Sequence, residues 1–231
     1  MFNIQNRRYT GNKYKLMDWI SKLIKDNCFD CHSFFDVFAG TGSVSDYIFE
    51  KYDRFIMNDF LYSNNVIYNG FFLNKKYDIN KIYKIKEVYN NLSSNKLREN
   101  YVSKNFGDKF FNRNDAKKIG YIRQDIENKY KNKYINEKEY YILLSSLLYS
   151  FDRIANTCGH YDAYRKLKNI PESFIFETIN PKNISDKKLV EIYRTDSNEL
   201  SKTIKADIAY IDPPYNSRQY SRFYHVMENI V

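Results

Sequence analysis

At 231 residues, 43% of them hydrophobic, the chain has room for one catalytic domain, alone or with a modest insertion. No apolar run approaches the ~18 residues of a membrane span, and the polar, basic start MFNIQNRRYTGNKYK is no secretory signal, so a cytoplasmic protein is expected. The net charge of +9 is localised: residues 75–133 carry 16 Lys or Arg against 7 Asp or Glu, and elsewhere 21 basic residues face 21 acidic ones, a block that suits a polyanion or merely solvates a surface.

In chain order, residues 12–26 predict an amphipathic helix with Leu16, Trp19, Ile20, Leu23 and Ile24 on one stripe. Cys28, Cys31 and His32 match the spacing of a c-type haem attachment site, and Cys158 with His160 would extend them towards a zinc set. Haem attachment needs export, and zinc needs two distant segments to meet. Reduced cysteines and no metal are therefore expected. Residues 33–38 (SFFDVF) read as a buried strand running into the glycine turn AGTGS, followed by a helix over 44–51 and a second short strand over 55–58 that ends at Asp59.

From about residue 70 helical periods replace strand alternation. Ile82, Ile85, Val88 and Tyr89 form one stripe, and Ile119, Ile122, Ile126 and Tyr130 another. Tyr140, Leu143, Leu144, Leu147, Leu148 and Phe151 mark the strongest helix. Beyond Pro171 the pattern returns to strand and turn, and residues 207–211 (DIAYI) predict an apolar strand entering Asp212, Pro213, Pro214 and Tyr215. The organisation is a strand-and-helix domain interrupted by a basic helical insertion.

Two constellations carry chemistry. Gly40 and Gly42 lie just past the first strand, and Asp59 closes the second, 23 residues after Asp36. That is the pattern of nucleoside binding in doubly wound sheets, where glycines admit the ligand and the acid accepts ribose hydroxyls; without the third glycine of the dinucleotide fingerprint it favours a smaller nucleoside, or is only a turn. Asp212 to Tyr215 follows a strand at its carboxyl end, where open parallel sheets hold ligands. Its consecutive prolines fix the backbone and cannot donate, so an Asp oxygen and the Pro213 carbonyl both accept. An exocyclic amine giving up both hydrogens to such a pair turns its lone pair out of the ring, with Tyr215 stacked on the base. A rigid turn is the plainer alternative.

RYTGNK, with Tyr9 and Lys13, DVFAGTGSV over residues 36–44, NDF with Asp59, and DPPYNSRQY over residues 212–220 occur in an order and spacing that resemble the D12 class of DNA adenine-N6 methyltransferases, the group of the Dam-type enzymes. RIANTCGHYDAYRK, residues 153–166, is similar to a segment of restriction-modification members. The resemblance implies an α/β fold: a Rossmann-like S-adenosylmethionine-dependent methyltransferase sheet built from residues 1–68 and 186–231, with a mainly helical target-recognition insertion over 69–185. It implies Tyr9, Lys13, Asp36, Phe38, Ala39, Gly40, Thr41, Gly42, Asp59 and Asp212 as cofactor contacts. Asp212, Pro213, Pro214 and Tyr215 become the catalytic DPPY motif. Asp196 is either near the cofactor adenine or a helix cap, Arg218 and Gln219 either touch DNA or hold the loop, and His160 and Tyr161 either touch DNA or are structural. Members continue past the catalytic loop with further strands, so C-terminal strands are expected to be missing from this chain. The implied activity is site-specific methylation of N6 of a flipped-out adenine in double-stranded DNA, as the modification arm of a restriction-modification system with a cognate restriction endonuclease. The alternative is a truncated, inactive DNA-binding remnant or subunit.

Overall fold

The computed structural model describes residues 1–8, 11, 13–214 and 220–231, with the backbone alone at 220 and 221. Four strands, β1 (Ser33–Asp36), β2 (Arg54–Asn58), β3 (Leu189–Tyr193) and β4 (Ile208–Tyr210), form a parallel sheet in the order β3-β2-β1-β4. β1 and β2 lie at its centre, where a parallel strand is covered on both faces and so reads as an unbroken apolar run. Phe34, Phe55 and Ile56 are accordingly fully buried.

The edge strands depart from the sequence reading. LVEIY of β3 went unrecognised; it is only partly buried, and Arg54 Nε donates to Glu191 Oε2 at 2.6 Å to fasten it to β2. DIAYI reads as an apolar strand over 207–211; the strand covers Ile208–Tyr210, and Ile211 just beyond it is 65% exposed, β4 pairing with β1 alone among the described residues.

The helices are α1 (Met17–Asn27), α2 (Ser43–Ile48), α3 (Tyr62–Phe72), α4 (Ile79–Asn90), α5 (Tyr101–Phe106), α6 (Arg113–Lys131), α7 (Glu137–Ile154), α8 (Ser197–Leu200) and α9 (Tyr220–Ile230). The predicted stripe of α1 is turned: Met17 and Ile20 are buried, with Ile24 packed beside them, while Leu16, Trp19 and Leu23, one residue or ~100° earlier on the helix, stay exposed. In α4, Ile82, Ile85 and Tyr89 are buried as read, but Val88 faces out. Ile119, Ile122 and Ile126 of α6 are fully buried, and Tyr130 sets its ring 4.6 Å from that of Tyr140.

α7 is the central helix of this half. It starts on a capping box between Asn136 and Glu139 and packs along α3. Gly70 of α3 permits the close approach: a Cβ there would fall 2.9 Å from Ser145 Cβ and collide with its hydroxyl. At the carboxyl end of α3, Lys138 Nζ donates to the carbonyls of Gly70 at 2.8 Å and Asn69 at 3.2 Å. Burial there pulls the Lys138 amine down to about 7. One hydrophobic cluster joins Phe34 and Phe55 of the sheet to Ile122 and Leu147 of the helices, so α3 to α7 share a core with the strands. Among the described residues no helix is long and apolar enough to cross a membrane.

Candidate active site

The chain runs outward from β1 to β2 to β3 and then returns to place β4 on the far side of β1. Between β1 and β4 the order reverses, and the loops leaving the two strands separate there, the position at which open α/β sheets hold ligands. A cavity of about 340 Å³ opens at this point, in the size range of small-molecule sites. Of the residues singled out from sequence, Lys13, Asp36, Phe38, Ala39, Gly40, Thr41, Asp59, Asp196, Asp212, Pro213 and Pro214 all line it. Tyr9, Tyr215, Arg218 and Gln219 lie outside the described residues.

Gly42 is the exception among them. It has φ 74°, and a Cβ on it would sit 2.7 Å from Ile4 Cδ1 and 3.3 Å from a ring carbon of Tyr68. Its bareness admits the protein's own core rather than a ligand. Gly40, φ 54°, is at the cavity wall, and Tyr68 Oη donates to its carbonyl at 2.6 Å.

Four carboxylates line the cavity, three of them, Asp36, Asp59 and Asp212, at or just past strand ends. Asp36, 1% exposed, accepts from Ser45 Oγ at 2.6 Å on one oxygen, while the other has no partner among the described residues. Burial, with Asp59 and Asp212 adding repulsion, raises its carboxyl to about 7 against the pull of the Ser45 bond. Asp59 accepts from Gly40 N and from Leu61 N, both at 2.9 Å, and so ties the end of β2 to the glycine loop. Desolvation raises its carboxyl as well, opposed by these bonds and by the Asn64 side chain. Asp212 Oδ2 lies 2.6 Å from Lys13 Nζ. Tyr210, between Asp36 and Asp212, has its phenol pushed up to about 12, first by burial and then by those two acids.

The loop after β3 supplies a wall that the sequence reading saw only in Asp196. That side chain caps α8, accepting from Asn198 N at 2.8 Å, and also lines the cavity with Thr195, Ser197 and Asn198. Asn58, fully buried beside Asp59, holds this loop: its amide donates to Thr195 O at 3.2 Å and Ser197 Oγ at 3.1 Å, and its oxygen accepts from Thr195 N at 3.1 Å. The missed signal was the short alternation of LVEIY before a TDSN cap. Gly11, Ser43, Val44, Phe60, Leu61 and Tyr210 complete the lining.

Tyr161 is not a surface contact: it is 2% exposed and donates to Asp152 Oδ1 at 2.8 Å, while Asp152 Oδ2 accepts from Arg8 N at 2.9 Å. The Arg8 bond pins the N-terminal segment to the end of α7. The His160 ring sits 4.6 Å from that of Phe223 on α9. Cys28 and Cys31 are half-buried thiols, and no three metal-ligating side chains gather among the described residues.

Much of the basic block is paired internally. Lys75 meets Glu137, Lys81 meets Glu139, Lys86 meets Glu177, Lys118 meets Glu172, Arg113 and Lys117 share Glu99, and Arg123 and Lys131 share Glu127. Residues 162–169 are by contrast exposed throughout and carry Arg165, Lys166 and Lys168. Arg222 at the start of α9 reaches Asp162 at 3.0 Å, which brings this segment beside the helix that follows the DPPY tetrapeptide.

A family model described as D12 class N6 adenine-specific DNA methyltransferase matches residues 9–231. The chain is 35% identical to the modification methylase LlaI of Lactococcus lactis subsp. lactis, over 96% of this chain and 38% of that protein. It is 32% identical to the type II methyltransferase M.NlaIII of Neisseria lactamica, over 96% of this chain and 68% of the relative, and 32% identical to M.FokI of Planomicrobium okeanokoites, over 96% and 36%. The chain thus spans little more than a third of the length of two of these relatives.

Proposed function

This chain belongs to the D12 class of N6-adenine-specific DNA methyltransferases, and from that membership and the cavity we infer that it methylates N6 of an adenine turned out of double-stranded DNA, with S-adenosylmethionine as methyl donor. The observation that carries this reading is that the Asp212–Pro214 edge, the glycine loop and Asp59 border one cavity.

The residues fit that donor. The unpartnered oxygen of buried Asp36 offers a place for the ammonium of its methionine part. Asp59 retains lone pairs for ribose hydroxyls, and Asp196 to Asn198 with Phe60 form a wall for the adenine. Lys13, the residues 38–41 and, outside the described residues, Tyr9 complete the contacts. When bound, the donor supplies an electrophilic methyl on a sulfonium.

The chain's own part in the reaction is acceptance and orientation. Asp212 and the Pro213 carbonyl take the two amine hydrogens, which frees the nitrogen lone pair to point along the line of attack. Tyr215 stacks on the base. As the amine gains the methyl it becomes acidic, and Asp212 holds the proton that leaves.

The division into a catalytic part, 1–68 and 186–231, and a target-recognition insertion, 69–185, forms part of this proposal, as does service as the modification arm of a restriction-modification system with a cognate endonuclease. The internal pairing of the block over 75–133 moves the expected DNA-facing surface to Arg165, Lys166 and Lys168 beside α9.

Transfer of tritiated methyl groups from S-adenosylmethionine to unmethylated DNA, followed by identification of the modified base, tests the reading. N6-methyladenine is the expected product. Donor and DNA binding without transfer would instead support an inactive remnant or subunit.

A further inference from the structure

α3 begins without a cap of its own. Its N-cap residue, Leu61, has no side-chain acceptor, which leaves the first amides of the helix in need of partners. Glu228, on α9 and more than 160 residues away, supplies them: Oε2 accepts from Tyr62 N at 3.0 Å and Oε1 from Ser63 N at 2.8 Å. A carboxylate there also meets the positive end of the helix dipole.

The capped turn is part of the cavity wall. Leu61 N, one residue before Tyr62, donates to Asp59 Oδ1, and Asp59 Oδ2 accepts from Gly40 N. Asn64, in the same turn, accepts from Arg7 Nη1 at 2.5 Å. A continuous chain of hydrogen bonds and one backbone turn therefore runs from α9 through the start of α3 to Asp59 and the glycine loop. α9 is also the helix that follows Asp212 to Tyr215 in sequence.

We propose that Glu228 is a positioning residue, whose carboxylate fixes the first turn of α3 and through it sets Asp59 and the glycine loop for the nucleoside ligand. The proposal rests on the methyltransferase reading for the identity of that ligand, and on geometry alone for the link. Loss of the carboxylate leaves two part-buried amides without their acceptor and loosens the turn that holds Leu61.

The test compares the parent chain with Glu228→Ala and Glu228→Gln. Hydrogen exchange on the ligand-free proteins reads the link directly: Glu228→Ala is expected to speed exchange at Gly40 and Leu61 by about ten-fold relative to amides of α7, with a smaller effect in Glu228→Gln, whose amide oxygen still accepts one bond. Calorimetric titration with S-adenosylhomocysteine is expected to give about ten-fold weaker binding for Glu228→Ala, partly recovered in Glu228→Gln. Exchange unchanged at Gly40 and Leu61, or binding equal to the parent with only a lowered Tm, would reduce Glu228 to a helix cap and overturn the proposal. A parent chain that fails to bind S-adenosylhomocysteine, yet shows the exchange difference, would sink the methyltransferase reading and leave the positioning link standing.

Discussion

Lys13 Nζ lies 2.6 Å from Asp212 Oδ2, so the acceptor that would receive a nucleobase amine already holds a cation from the segment before α1. Both side chains are largely shielded, with 20% and 27% of their area exposed. The lysine lies against one oxygen of the carboxylate at the cavity wall, and a carboxylate has lone pairs beyond the one so engaged with which to accept.

Asp212→Ala removes that acceptor. Methyl transfer should fall by about a thousand-fold or more, the scale for losing one preorganised electrostatic contact, while DNA affinity in a filter-binding or anisotropy assay changes little. Equal loss of binding and transfer would show that Asp212 holds the fold of the site rather than the amine.

Asp36 predicts a pH dependence of defined sign. Its carboxyl is raised to about 7 by burial, against ~3.9 in an unfolded chain. Between those values the folded protein keeps a proton that the unfolded chain has released, so stability falls as pH rises through the window and levels off above 7. Asp36→Asn removes the penalty. It should be more stable than the parent at pH 8, on the order of 2 kcal/mol, with the gain shrinking towards pH 4 in urea titrations. Its affinity for S-adenosylmethionine should drop at the same time, through loss of a carboxylate from the cavity lining.

Gly70 reverses the usual sign of a helix substitution. Replacing an interior helix glycine by alanine ordinarily stabilises by about 0.5–1 kcal/mol. Here the new methyl meets Ser145 and the Tyr141 carbonyl, which lies 3.0 Å from the Cβ position. Overpacking costs about 1–3 kcal/mol, so Gly70→Ala should lower the unfolding midpoint in urea. A raised midpoint would mean that α3 and α7 separate easily.

Salt dependence distinguishes the exposed cations from the paired ones. Lys166→Gln should reduce the slope of log affinity for DNA against log salt by about 0.9, as for one lost phosphate contact on duplex DNA. Lys118→Gln, whose amine reaches Glu172 at 2.8 Å, should leave the slope unchanged. The opposite pattern would restore the block over 75–133 as the DNA surface.

The chain itself specified more of the site than of the sheet edges. Gly40, Asp59 and the Asp-Pro-Pro run announce themselves because each type has few other uses at a strand end: a positive φ, an acid after an apolar run, a backbone that cannot donate. β1 and β2 were legible because burial on both faces leaves an unmixed apolar run, and the inner stripes of α6 and α7 because their buried apolar residues recur at the helical period. β3 and the true face of α1 were not, since a half-covered element mixes polar and apolar residues according to neighbours that lie far along the chain. The same reason hid Asn58 holding Thr195, Glu228 capping α3, and the carboxylates that absorb the lysines over 75–133. Residue type is a local property and fixes what a side chain is able to do; its hydrogen-bond partner depends on folding that joins positions far apart in the chain, and only the tertiary structure decides it.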